Sequence, residues 1–80
     1  MKIEEIENKL IGHLAAILSM EASEIQTTAS LESLGVASMG LVEMFVFIEK
    51  EFGLELMSAG LEREDLNSVH TLAEAVLRNI

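Results

Sequence analysis

Leu34-Gly35-Val36-Ala37-Ser38-Met39-Gly40-Leu41 opens a run that continues Val42-Glu43-Met44-Phe45-Val46-Phe47-Ile48-Glu49-Lys50-Glu51-Phe52 and stops at Gly53. The pattern predicts a helix from about Ser38 to Phe52 with Gly53 as its C-terminal cap. Leu41, Phe45, Ile48 and Phe52 recur at three- and four-residue steps and form its core stripe. Met39, Val46 and Phe47 fall on the other side, with only Glu43 and Lys50 to wet it. A helix apolar nearly all round is either buried or docks a partner, and 80 residues are too few to bury both sides. Ser38 stands at the helix start, a position that holds its hydroxyl in water. A phosphate there would meet unpaired backbone N–H groups and the positive end of the helix dipole.

Upstream, Ile3, Ile6, Leu10, Leu14, Ile17 and Leu18 mark an amphipathic first helix over about residues 2–19. Glu4, Glu5 and Glu7 crowd its first turn and favour the dipole, Glu5 and Lys9 are an i,i+4 pair, and His13 lies at the edge of the apolar face. From Met20 to Ala37 the periodicity is lost. This reads as a long loop pinned to the core by Ile25, Leu31 and Leu34, and the anchors favour a functional loop over a disordered one. Downstream, Leu54-Glu55-Leu56 alternates too briefly for a strand. A short helix is expected around Ala59–Leu66, with Leu61 and Leu66 inward and Glu62, Glu64 and Asp65 outward. A last helix runs from about Val69 to Asn79, capped by Ser68, with Leu72, Val76 and Ile80 at four-residue steps. The fold class is all-α: a four-helix bundle of three main helices and one short one, with a long first loop, in a single domain over residues 1–80.

Five basic residues stand against fourteen acidic ones, a net charge of −9. Such a chain repels nucleic acid and anionic membranes and suits basic protein surfaces. Insertion into a membrane is not expected, because no apolar run approaches the roughly 20 residues a span needs. The N-terminus lacks the charged start and apolar core of a signal peptide, so a cytoplasmic monomer is expected. There is no cysteine, hence no disulfide and no thiolate. Any sulfur chemistry must come from an added group. No Cys/His cluster, HExxH or D-x-D-x-D-G loop suggests a metal site. Gly35-x-x-Ser38-x-Gly40 is one residue too long for a nucleophile elbow and has no strand before it, so catalysis is not expected.

Taken in order, the first helix, Ala29-Ser30-Leu31-Glu32-Ser33-Leu34-Gly35, Ser38, Val42-Glu43, the stretch Ile48 to Leu56, and Ser68-Val69 resemble an acyl carrier protein. The resemblance implies that Ser38 carries 4'-phosphopantetheine, attached from coenzyme A by a phosphopantetheinyl transferase. It implies that acyl groups ride on the arm as thioesters, presented to acyl-loading and acyl-transfer enzymes with basic docking patches. The pathway would be fatty-acid, specialised lipid or polyketide biosynthesis. By position, Glu43, Glu49 and Glu51 would lie in the acidic helix that those enzymes read, Met39, Val46 and Phe47 would be the apolar centre of docking, and Phe45, Ile48 and Phe52 would line the acyl pocket. Ala37 stands where the family usually has Asp, Gly40 where an acidic residue is common, and Lys50 inverts another acidic position. These departures point to a specialised stand-alone carrier. Two alternatives share the pattern: an aminoacyl or peptidyl carrier, and an unmodified helical interaction module.

Overall fold

The computed structural model describes residues 1–55 and 60–80, the side chain of Ser38 apart. Three α-helices carry the fold: α1 at Ile3–Leu18, α2 at Ser38–Phe52 and α3 at Val69–Asn79. Among the described residues two 3-10 turns, Ala22–Glu24 and Arg63–Leu66, lie between them. The expectation of an all-α bundle is met, and among the described residues the only β pairing is an isolated antiparallel bridge between Ser30 and Ser68. The short fourth helix is a 3-10 turn starting at Arg63. Its expected start at Ala59, and the Leu56 end of the Leu54–Leu56 alternation, lie outside the described residues.

The core is assembled from one face of each helix. Ile6, Leu10 and Leu14 of α1, Met44 and Ile48 of α2, and Val69, Leu72, Ala73 and Val76 of α3 are fully buried, with Ile25 and Leu31 of the long loop wedged among them. That loop is tied down by backbone bonds to the start of α3: the Leu31 amide donates to the Asn67 carbonyl at 2.8 Å, and the His70 amide to the Thr27 carbonyl at 2.9 Å. Ser68 caps α3 as expected, its Oγ accepting from the Thr71 amide at 3.2 Å. Gly53 closes α2 in the left-handed region, φ 67°, with its amide on the Glu49 carbonyl, a conformation that favours glycine.

Four expectations need correction. Phe47 does not point away from the core: it is half-buried, packed against the core cluster and stacked on His13 of α1 with ring centroids 4.3 Å apart. The buried face of α2 is centred on Met44 and Ile48, so the face turned to α1 includes Phe47, while Leu41, Phe45 and Phe52 are only half-buried. Asp65 is not an outward charge. It accepts from the Glu62 amide and from Arg78 Nη2 at 2.9 Å, closing the 3-10 turn and tying it to α3. Lys9 ignores Glu5 and crosses to Glu51 of α2 at 2.5 Å, leaving Glu5 to accept from the Lys2 amide.

Candidate functional site

The chain enters α2 through a hydrogen-bonded turn. The Ser33 amide donates to Ser30 Oγ and Ser33 Oγ to the Ser30 carbonyl, while the Gly35 amide donates to Glu32 and the Val36 amide to Leu31. Gly35, at φ 90°, takes the left-handed step that turns the chain towards the helix. Ala37 is then extended (φ −88°, ψ 178°) and its carbonyl accepts the first helical bond from the Leu41 amide at 3.0 Å. Ala37 offers no side-chain acceptor to the helix, and the first turn holds no acidic residue. The helix's own first turn therefore sets no carboxylate against its N–H groups and positive dipole end, which suits an anion attached at Ser38.

Gly40 has a packing reason. A Cβ there would sit 3.3 Å from Val36 Cγ1, so glycine lets the start of α2 lie close against the loop that delivers it. The acidic residue common at this position would have to push Val36 aside.

Beside that start lies a groove of about 400 Å³ lined by Leu31, Glu32, Val36, Ala37, Leu41 and Leu66. A second groove, about 370 Å³, shares Glu32 and Leu66 with it and adds Ser30, Arg63 and Asn67. The lining comes from three separate segments: the loop, the first turns of α2 and the 3-10 turn. Asp65 steadies the last of these. The Glu62 amide and the Arg78 guanidinium stabilise its carboxylate and hold its pKa below the usual 3.8. Phe45, Ile48 and Phe52 line neither groove; they face the core instead.

On the α1 side of α2, Val42, Val46, Phe47 and His13 form a third, apolar groove of about 390 Å³, with Glu43 and Lys50 beside them. Met39 is 73% exposed, Val42 53% and Val46 44%. Met39 and Val46 thus lie on the surface as expected, and Val42, which the helical pattern alone did not single out, joins them. Glu43 is exposed and Glu49 half-buried. Among the described residues no group of His, Cys, Asp and Glu is arranged to hold a metal ion, and no helix is long and apolar enough to cross a membrane.

Comparison with known proteins places the chain among carrier proteins. Residues 1–80 match the family model of the C-terminal acyl carrier domain of the highly reducing polyketide synthase sdgA. The chain is 25% identical over 77 residues to aminoacyl carrier protein 2 of Bradyrhizobium diazoefficiens, spanning 94% of this chain and 86% of that one. It is 26% identical over 78 residues to aminoacyl carrier protein 1 of the same organism, spanning 95% and 87%. No solved structure matches.

Proposed function

The chain belongs to the acyl carrier protein family, and on that premise we propose that Ser38 bears a 4'-phosphopantetheine arm on which acyl groups are held and passed between enzymes. A member of this family carries and does not itself catalyse. The observation that supports Ser38 is its place as the first residue of α2, after an extended Ala37 that caps nothing, beside a groove of mixed polar and apolar lining. The first-turn amides would hold the phosphate, and Val36, Leu41 and Leu66 would flank what lies beyond it. When bound, the group supplies the thiol that a chain without cysteine lacks. The protein's own contribution is positional: tethering raises the effective concentration of cargo once an enzyme docks.

The docking surface we assign is Met39, Val42 and Val46, with Glu43 and Glu49 as the charges that meet basic patches on the modifying transferase and on loading enzymes. Phe47 supports this face from beneath by its stack on His13. A net charge of −9 opposes self-association, so the carrier acts as a monomer. An acyl cargo for a lipid or polyketide pathway is the first reading. An aminoacyl cargo is the second, favoured by the printed names of the two Bradyrhizobium relatives.

Incubation with coenzyme A and a broad-specificity phosphopantetheinyl transferase is expected to add one arm by intact mass. Ser38→Ala should add none while keeping its helical circular dichroism. Addition at another serine, or none with several transferases, would remove the carrier reading and leave the unmodified interaction module. The mass of the protein isolated from its own host separates acyl from aminoacyl cargo.

A further inference from the structure

The groove between α1 and α2, about 390 Å³, is lined at its centre by Val42, Val46 and the Phe47 ring, which stacks on His13. The charges on its wall differ in sign. Glu43 stands nearer the start of α2 and Lys50 nearer its end, both exposed, and neither has an ion-pair partner among the described residues. Glu51, on the same wall, is already paired with Lys9 of α1 at 2.5 Å. Two helical turns separate Glu43 from Lys50, which sets them on one face about 10.5 Å apart along the axis.

We propose that this groove seats an amphipathic helix of a partner enzyme, with a basic residue over Glu43, large apolar side chains over Val46 and Phe47, and an acidic residue over Lys50. This rests on the chain being a carrier that docks through α2, and it adds an order of charge that a uniformly basic patch lacks. A second basic residue at the far end would meet Lys50 as a like charge. The spacing selects a helix. Helical residues seven apart share a face and rise about 10.5 Å, and the positions three and four along turn to the same side between them. An extended segment covers that interval in about three residues, which puts its end side chains on opposite faces. A second copy of the chain has the same order on its own α2 and would fit antiparallel. Each copy brings a net charge of −9, and that repulsion weighs against the pairing.

The test uses two synthetic peptides held helical by a hydrocarbon staple on the far face and checked by circular dichroism. One has Lys, Leu, Phe and Glu at positions i, i+3, i+4 and i+7; the other has Lys in place of that Glu. Binding is read by fluorescence anisotropy at about 0.15 M salt, where charges more than about 8 Å apart are screened. The mixed peptide is expected to bind wild type about three- to tenfold more tightly than the all-basic one, and to shift the amide NMR signals of His13, Val46 and Phe47. Lys50→Glu should invert that order while keeping its helical circular dichroism. A tighter all-basic peptide on wild type, an order unchanged in Lys50→Glu, no binding by either peptide, or shifts confined to the loop side of α2 would overturn the proposal. So would a concentration-dependent dimer that shifts the same signals, which makes a second copy the occupant. None of these outcomes bears on attachment of the arm at Ser38. If intact mass shows that no arm attaches, the carrier reading falls and takes the proposal with it.

Discussion

The imidazole of His70 sits between two carboxylates, with Nδ1 2.9 Å from Glu7 Oε2 on α1 and Nε2 3.6 Å from Glu74 Oε1 on α3. Its backbone amide holds the Thr27 carbonyl of the long loop, so one residue joins α1, α3 and the loop. The hydrogen bond with Glu7, then the fields of Glu74 and Glu7, outweigh partial desolvation and raise the His70 pKa above 6.5. A folded-state pKa above the unfolded one means that the folded form binds the proton more tightly. The stability this contributes is fully present below 6.5 and is lost as pH climbs through the raised folded value. Wild-type protein should therefore melt at progressively lower temperature as pH rises from mildly acidic to mildly alkaline. His70→Gln should flatten that slope, as read by melts across a pH series. A slope identical in both proteins would show that other groups set it. Asp65 acts in the opposite sense and further down the scale: its lowered pKa stabilises the fold above 3.8, and that support goes as acid protonates it.

Helix α2 shows what periodicity can and cannot read. Its limits, Ser38 and Phe52, follow from local chemistry that the sequence displays: a turn before it and a glycine able to take φ 67° after it. The face it buries follows from where α1 lies, and no local pattern encodes that. With apolar residues nearly all round, several rotations satisfy the wheel equally. The structure chooses the one that buries Met44 and Ile48 and lays Phe47 on His13. The candidate site divides in the same way. Ser38 was legible because its position depends on neighbours in the chain. Leu31, Val36, Leu41, Leu66 and Arg63 converge only through the fold, and nothing in their spacing announced the grooves they line. The rotation has a measurable consequence. Phe47→Ser removes a half-buried ring and its stack, a loss of about 1–3 kcal/mol. In a domain of this size each 1 kcal/mol lowers the melting temperature by roughly 4–8 °C. A melt within a degree or two of wild type would mean that Phe47 is free surface after all.

At the scale of the molecule, a chain with a net charge of −9 presents a largely aliphatic strip at Met39, Val42 and Val46 with Glu43 beside it. Charge and apolar contact should then divide the work of docking. Long-range attraction sets the rate of encounter and is screened by salt, with a Debye length of about 8 Å at physiological ionic strength. The apolar strip sets how long the complex lasts, because burying a large side chain is worth about 1.5–3 kcal/mol when complete. Val46, already partly covered by its own protein, has less to gain than Met39. Met39→Ser should lower kcat/KM for the modifying transferase roughly tenfold, at 1.4 kcal/mol per decade, by about the same factor at low and high salt. Val46→Ser should do the same to a smaller degree, and neither should shift the melting temperature as Phe47→Ser does. Glu43→Lys should slow transfer chiefly at low salt and approach wild type as salt is raised. The comparison is kcat/KM for each variant at two ionic strengths, beside a melt of each. If Met39→Ser were silent and Glu43→Lys equally harmful at both ionic strengths, partners would be reading a short-range polar contact at Glu43, and the aliphatic strip would not be the centre of docking.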